Sequence, residues 1–127
     1  MIENCLFVGI GGFLGSVLRY LLSLVPFLNR SIFPFQTLLA NVAGALLIGV
    51  IVGITDRCPS VNPQLVLMLK VGLCGGFTTF STFSNESLSL IQDGKCLTAF
   101  AYISLSLALC ITGVLIGKTL VMMGGKI

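Results

Sequence analysis

The segment Gly72-Leu73-Cys74-Gly75-Gly76-Phe77-Thr78-Thr79-Phe80-Ser81-Thr82-Phe83-Ser84-Asn85-Glu86 holds most of the chain's potential chemistry. It combines paired glycines, five Ser/Thr hydroxyls, three phenylalanines and a terminal carboxylate. Yet it lies inside a stretch long and apolar enough to cross a bilayer. Unpaired N–H and C=O groups are costly in hydrocarbon, so irregular backbone there must be buried in protein or line a cavity. A break at Gly75-Gly76 therefore points to a permeation or ion-binding site. Its freed carbonyls could coordinate a cation or be satisfied by neighbouring hydroxyls.

Other polar groups sit at telling positions. Asn41 lies in an uncharged apolar stretch, where its amide can donate to an anion or form an interhelical bond. Thr98, Tyr102, Ser106 and Cys110 recur every four residues and form one helical stripe,. Such a stripe can hydrate an ion without fixed charge, or its hydroxyls can bond back to their own helix. Phe80 and Phe83, three apart, share a face. Their rings can pack, or turn positive edges toward an anion. Thr79, Thr82 and Glu86 line a neighbouring face, and Glu86 can equally anchor the helix at the interface. Arg19 is costly at depth and belongs near an interface.

Several chemistries are excluded. The chain has no histidine, so the commonest acid–base catalyst and metal ligand is absent,. The segment 72–79 lacks the lysine of a phosphate-binding loop,. The five cysteines form no C-x-x-C pair and read as small apolar thiols,. A net charge of +3 spread along the chain offers no nucleic-acid patch,.

The elements that must position these groups are membrane helices. Of 127 residues, 56% are hydrophobic and 9% charged, far from the ~25% charged of soluble domains,. The composition predicts an all-α membrane protein, with residues 1–127 forming a single four-span domain. Four segments reach the ~20 apolar residues a spanning helix needs: 4–28, 35–55, 64–91 and 96–117. The first lacks a basic leader region and is expected to remain in the mature protein. Connections at 29–34, 56–63 and 92–95 are short, so neighbouring helices run antiparallel. Small residues four apart (Gly11 and Gly15; Ala45, Gly49 and Gly53; Gly113 and Gly117) let helices approach closely,. Lys and Arg are divided almost evenly. Arg57, Lys126, Lys118 and Lys70 fall to one side, Arg30, Lys95 and Arg19 to the other. That slight bias permits both insertions and an antiparallel dimer.

Taken together, these residues resemble the Fluc (CrcB-type) fluoride channel family. The resemblance rests on Gly11-Gly12-Phe13-Leu14-Gly15 with Arg19-Tyr20, on Thr37-Leu38-Leu39-Ala40-Asn41 with Gly44, and above all on Gly75 through Ser84 with Glu86. It spans essentially the whole chain. It implies an antiparallel, dual-topology homodimer in the bacterial inner membrane, with two passive fluoride pores built from both subunits. It implies fluoride contacts from Phe80 and Phe83, and polar pore positions at Asn41, Ser81, Thr82, Glu86, Tyr102 and Ser106. Arg19 would lie at the entrance. Backbone carbonyls of Gly75 and Thr78 would hold a structural sodium ion (Na+) on the dimer axis.

Two alternatives compete. A small dual-topology multidrug exporter needs a titratable carboxylate deep in its first span. Here that span has only Glu3, at its start. A non-conducting assembly subunit would explain the glycines but not the aligned hydroxyls.

Overall fold

The computed structural model describes residues 1–124, leaving Lys126 outside the described residues. The four spans run Ile2–Ser23, Phe35–Arg57, Pro63–Gln92 and Cys96–Met123. The first stops short of residue 28 because Pro26 lacks an N–H and opens a separate 3₁₀ turn, Pro26–Asn29,. The fourth runs on to Met123.

The helices pair alternately, the first with the third and the second with the fourth. Glycine sets these contacts. A methyl group on Gly15 would run into the Leu73 carbonyl, and one on Gly49 into the Val114 carbonyl. The four-residue glycine spacing therefore packs helices within one chain. Large apolar side chains such as Phe13, Phe100, Ile111 and Leu115 point outward, as lipid permits. The interior cluster is small: Phe83, Leu90, Ala99 and Tyr102, flanked by Phe33, Leu38 and Ile103.

The third span is where the chain departs from regular helix. Asn62 caps its start, with Oδ1 accepting from the N–H groups of Gln64 (2.8 Å) and Leu65 (3.3 Å), and Pro63 follows at the first helical position,. Residues Leu67–Cys74 widen into π-helical turns, a local form often found at functional sites. The break lies three residues beyond the expected Gly75-Gly76. Gly75 is helical (φ −63°, ψ −38°), and helix continues through Phe77. Thr78 (ψ 158°) and Thr79 (φ −150°, ψ 115°) are the extended residues.

The physical reason is that β-branched threonines favour extended backbone and carry hydroxyls that bond the backbone where the helix stops and restarts. Thr78 gives both its N–H (2.9 Å) and its hydroxyl (2.8 Å) to the Cys74 carbonyl. Thr79 then caps the next helix, Phe80–Gln92, its Oγ1 accepting from the Thr82 N–H at 3.2 Å,. Gly76 serves close packing instead, since a Cβ there would lie 2.6 Å from the Gly12 carbonyl oxygen. Gly94, at φ +74°, ends the span. Lys95 N–H donates to Leu90 and Gly94 N–H to Ile91, the Schellman pattern,.

Charge is used locally at one end of the bundle. Arg57 donates to the Val121 and Gly124 carbonyls at the end of the fourth helix, where a cation complements the helix dipole. Lys118 pairs with Asp56 at 2.7 Å.

Candidate functional site

The break is held by one side chain from the second helix. The Thr79 N–H donates to Asn41 Oδ1 at 2.8 Å, and Asn41 Nδ2 donates to the Thr79 carbonyl at 3.2 Å. Asn41 thus pairs with both peptide groups of Thr79, as a neighbouring strand would. Nδ2 keeps a second N–H beyond this pair.

A cavity of about 340 Å³ opens on one side of the clamp. Asn41, Thr78, Thr79, Phe80, Phe83, Ser106 and Cys110 contribute to its wall, with aliphatic residues completing it. Ser106 is 5% exposed, and its Oγ is buried without a hydrogen-bond partner among the described residues. An orphaned buried hydroxyl is expensive unless something else completes it. The Phe80 and Phe83 ring centroids lie 5.6 Å apart with planes at 42°. Phe83 is 9% exposed and stacks toward Tyr102 (5.2 Å), whereas Phe80 is 76% exposed.

A second cavity, of about 290 Å³, lies on the other side. Arg19 lines it together with Ser16, Gln36, Thr37, Thr79 and Thr82. Thr79 therefore lines both cavities, and its Oγ1 receives the Thr82 hydroxyl at 3.0 Å and lies 3.4 Å from Ser81 Oγ. Glu86 lines neither. Its Oε1 accepts from the Thr37 hydroxyl (2.8 Å) and its Oε2 from Tyr102 (2.7 Å), joining the second, third and fourth spans.

The expected pore and entrance residues thus divide into three groups. Asn41, Phe80, Phe83 and Ser106 meet around one cavity; Arg19 and Thr82 share the other, with Ser81 at the clamp between them. Tyr102 and Glu86 form a separate internal bond. Gly75 is exposed beside open space, and Thr78 follows at the start of the break. Two residues gain roles that spacing only hinted at. Thr37 sits one turn before Asn41 on the same face, and Thr79 precedes Thr82 at capping distance.

Fold and buried polar groups define a multi-pass helical membrane protein. A family model described as "CrcB-like protein, Camphor Resistance (CrcB)" matches residues 6–118, and the chain belongs to this family. The fluoride-specific ion channel FluC of Flavobacterium psychrophilum is 46% identical over 125 residues, covering 93% of this chain and 99% of the relative. The protein of the same name from Shewanella woodyi is 49% identical over 120 residues (94% and 96% covered). That from Ruminiclostridium cellulolyticum is 48% identical over 119 residues (92% and 91%).

Proposed function

We propose that this protein is a passive fluoride channel that exports the anion across the bacterial inner membrane. It transforms no substrate and works as a single four-span domain paired with an inverted copy in membrane lipid. The observation that carries this reading is the Ser106 hydroxyl, without a partner among the described residues, in a cavity walled by Phe80, Phe83 and Asn41. Fluoride is small and strongly hydrated, so a selective pore must replace its water with close donors. A full positive charge would hold it too firmly for exit. The Ser106 hydroxyl, the spare Asn41 N–H and phenyl edges are donors without charge. Arg19 lies in the other cavity, beyond the clamp, where it can attract the anion without trapping it,.

The exposure of Phe80 supports a partner copy, because the cavity wall it forms is open in one chain. Two copies give two such pathways. Ser81 and Thr82 extend the polar lining past the clamp toward Arg19, and the Glu86–Tyr102 pair braces the helices beside it. The carbonyls of Gly75 and Thr78 suit the structural Na+, since the Thr79 N–H that would otherwise bond Gly75 goes to Asn41. A bound Na+ would supply one fixed positive charge joining the two copies.

The test is fluoride efflux from liposomes under a voltage set by a potassium gradient. Flux should follow voltage with only fluoride's own gradient present. A requirement for a proton gradient at fixed voltage would reject the channel reading in favour of a coupled exporter.

A further inference from the structure

In an unbroken α-helix the N–H of residue i donates to the carbonyl of residue i−4. The donor that belongs to Gly75 is therefore the Thr79 N–H. It is diverted to Asn41 Oδ1 at 2.8 Å, while Asn41 Nδ2 secures the Thr79 carbonyl at 3.2 Å. The Thr78 N–H, the donor one place nearer, goes to Cys74. Neither of the two donors next in line reaches Gly75. The side chain responsible lies on a different helix and lines the cavity of Phe80, Phe83 and Ser106.

We infer that Asn41 is the positioning residue of the Gly75 carbonyl: by capturing the Thr79 N–H it keeps that carbonyl free for a cation. This rests on the reading of Gly75 and Thr78 as Na+ donors. It also ties cavity and cation site together through one amide. Removing the amide lets the Thr79 N–H return to Gly75, restoring a helical bond and removing an oxygen from the cation's shell. Asn41→Leu keeps similar bulk and removes both hydrogen bonds. Asn41→Asp keeps an oxygen acceptor for the Thr79 N–H.

Two readouts test this on the purified full-length protein. The first is the carbonyl 13C shift of Gly75. Labelling glycine at 13C′ and 15N leaves only the three Gly-Gly pairs visible, at 11–12, 75–76 and 124–125. In Na+-free detergent, Asn41→Leu should move the Gly75 resonance alone toward the hydrogen-bonded helical range, and Asn41→Asp should not. The second is thermal stability titrated with Na+ against N-methylglucamine. Asn41→Leu should raise the Na+ needed for half-maximal stabilisation by about tenfold or more, about 1.4 kcal/mol. A folded Asn41→Leu protein with an unmoved carbonyl and wild-type Na+ dependence would overturn the inference. So would a wild-type Gly75 carbonyl already in the helical range, which needs no variant. A wild-type protein indifferent to Na+ whose carbonyl still moves in Asn41→Leu would remove the cation reading and leave Asn41 as the residue that holds the break.

Discussion

The Tyr102 hydroxyl lies 2.7 Å from Oε2 of Glu86, and the ring that carries it is fully buried. With Thr37 on Oε1, both carboxyl oxygens are occupied, each from a different helix. Replacing Tyr102 by Phe keeps the ring contacts to Phe33 and Phe83 and removes one donor. A buried acceptor left short of its partner costs about 1–3 kcal/mol, and the half-buried Glu86 falls toward the lower end. Tyr102→Phe and Thr37→Val should each lower unfolding stability in detergent by that order. In a double-mutant cycle the two should couple, because they share one carboxyl group. Independent, additive effects would mean that Glu86 is satisfied by other groups.

Phe80 and Phe83 are expected to behave differently when each is changed to Ile. Phe83 is buried against Tyr102, so Phe83→Ile should cost about 1–2 kcal/mol of stability through lost ring contacts,. Phe80 is 76% exposed in one chain, so its substitution should leave the fold of that chain intact. Both should reduce fluoride flux, since both remove a positive ring edge from the cavity wall. Two variants that conduct like the parent would defeat the aromatic-contact mechanism.

The spans and turns were legible because their signals are local. Length, apolar runs, Asn62-Pro63 and Gly94 each act on their own backbone, although the apolar run that sets the expected first span passes through Pro26, which ends it. The break was legible as an event but displaced in position. Paired glycines suggested the flexible point, whereas Gly76 answers to close packing against the first helix and the two threonines break the helix. That distinction depends on which helix lies alongside, which local sequence does not record. The Asn41–Thr79 clamp joins residues 38 apart in sequence, and the Glu86–Thr37 bond joins residues 49 apart. No spacing rule reaches that far. The fourth-span stripe was readable as a face. Its division into Tyr102 on Glu86 and Ser106 on the cavity needed the neighbouring helices.

Glycine substitutions should separate packing from conformational freedom. Gly15→Ala and Gly49→Ala each drive a methyl group into a backbone carbonyl of the paired helix. Backbone cannot rotate aside as a side chain can, so each should cost about 1–3 kcal/mol, as overpacking does. Gly9 sits on the same first helix with nothing within 4 Å of an added Cβ. Gly9→Ala should be neutral or slightly stabilising, since Ala favours helix over Gly by about 0.5–1 kcal/mol. Thermal unfolding of the three variants in one detergent makes the comparison. Equal losses at all three sites would remove close approach as the role of these glycines.

The proposed inverted dimer makes a labelling prediction. Lys and Arg are nearly balanced across the two faces. Arg57 binds the end of the fourth helix and Lys118 pairs with Asp56, and Lys95 pairs with Asp93 at the other end of the bundle. So even a division of Lys and Arg gives little orientation bias, and both insertions should occur in equal amounts. Two inverted copies would cover the exposed Phe80 ring and place the open side of Gly75 beside its counterpart on the two-fold axis. A single cysteine added at the C-terminus, after the five native cysteines are replaced, should react with an impermeant maleimide from both faces of sealed vesicles, about half from each. The same preparation must conduct fluoride, so that labelling reports the working protein. Reaction from one face only in conducting vesicles would rule out the inverted pair and, with it, a cation site shared across the axis.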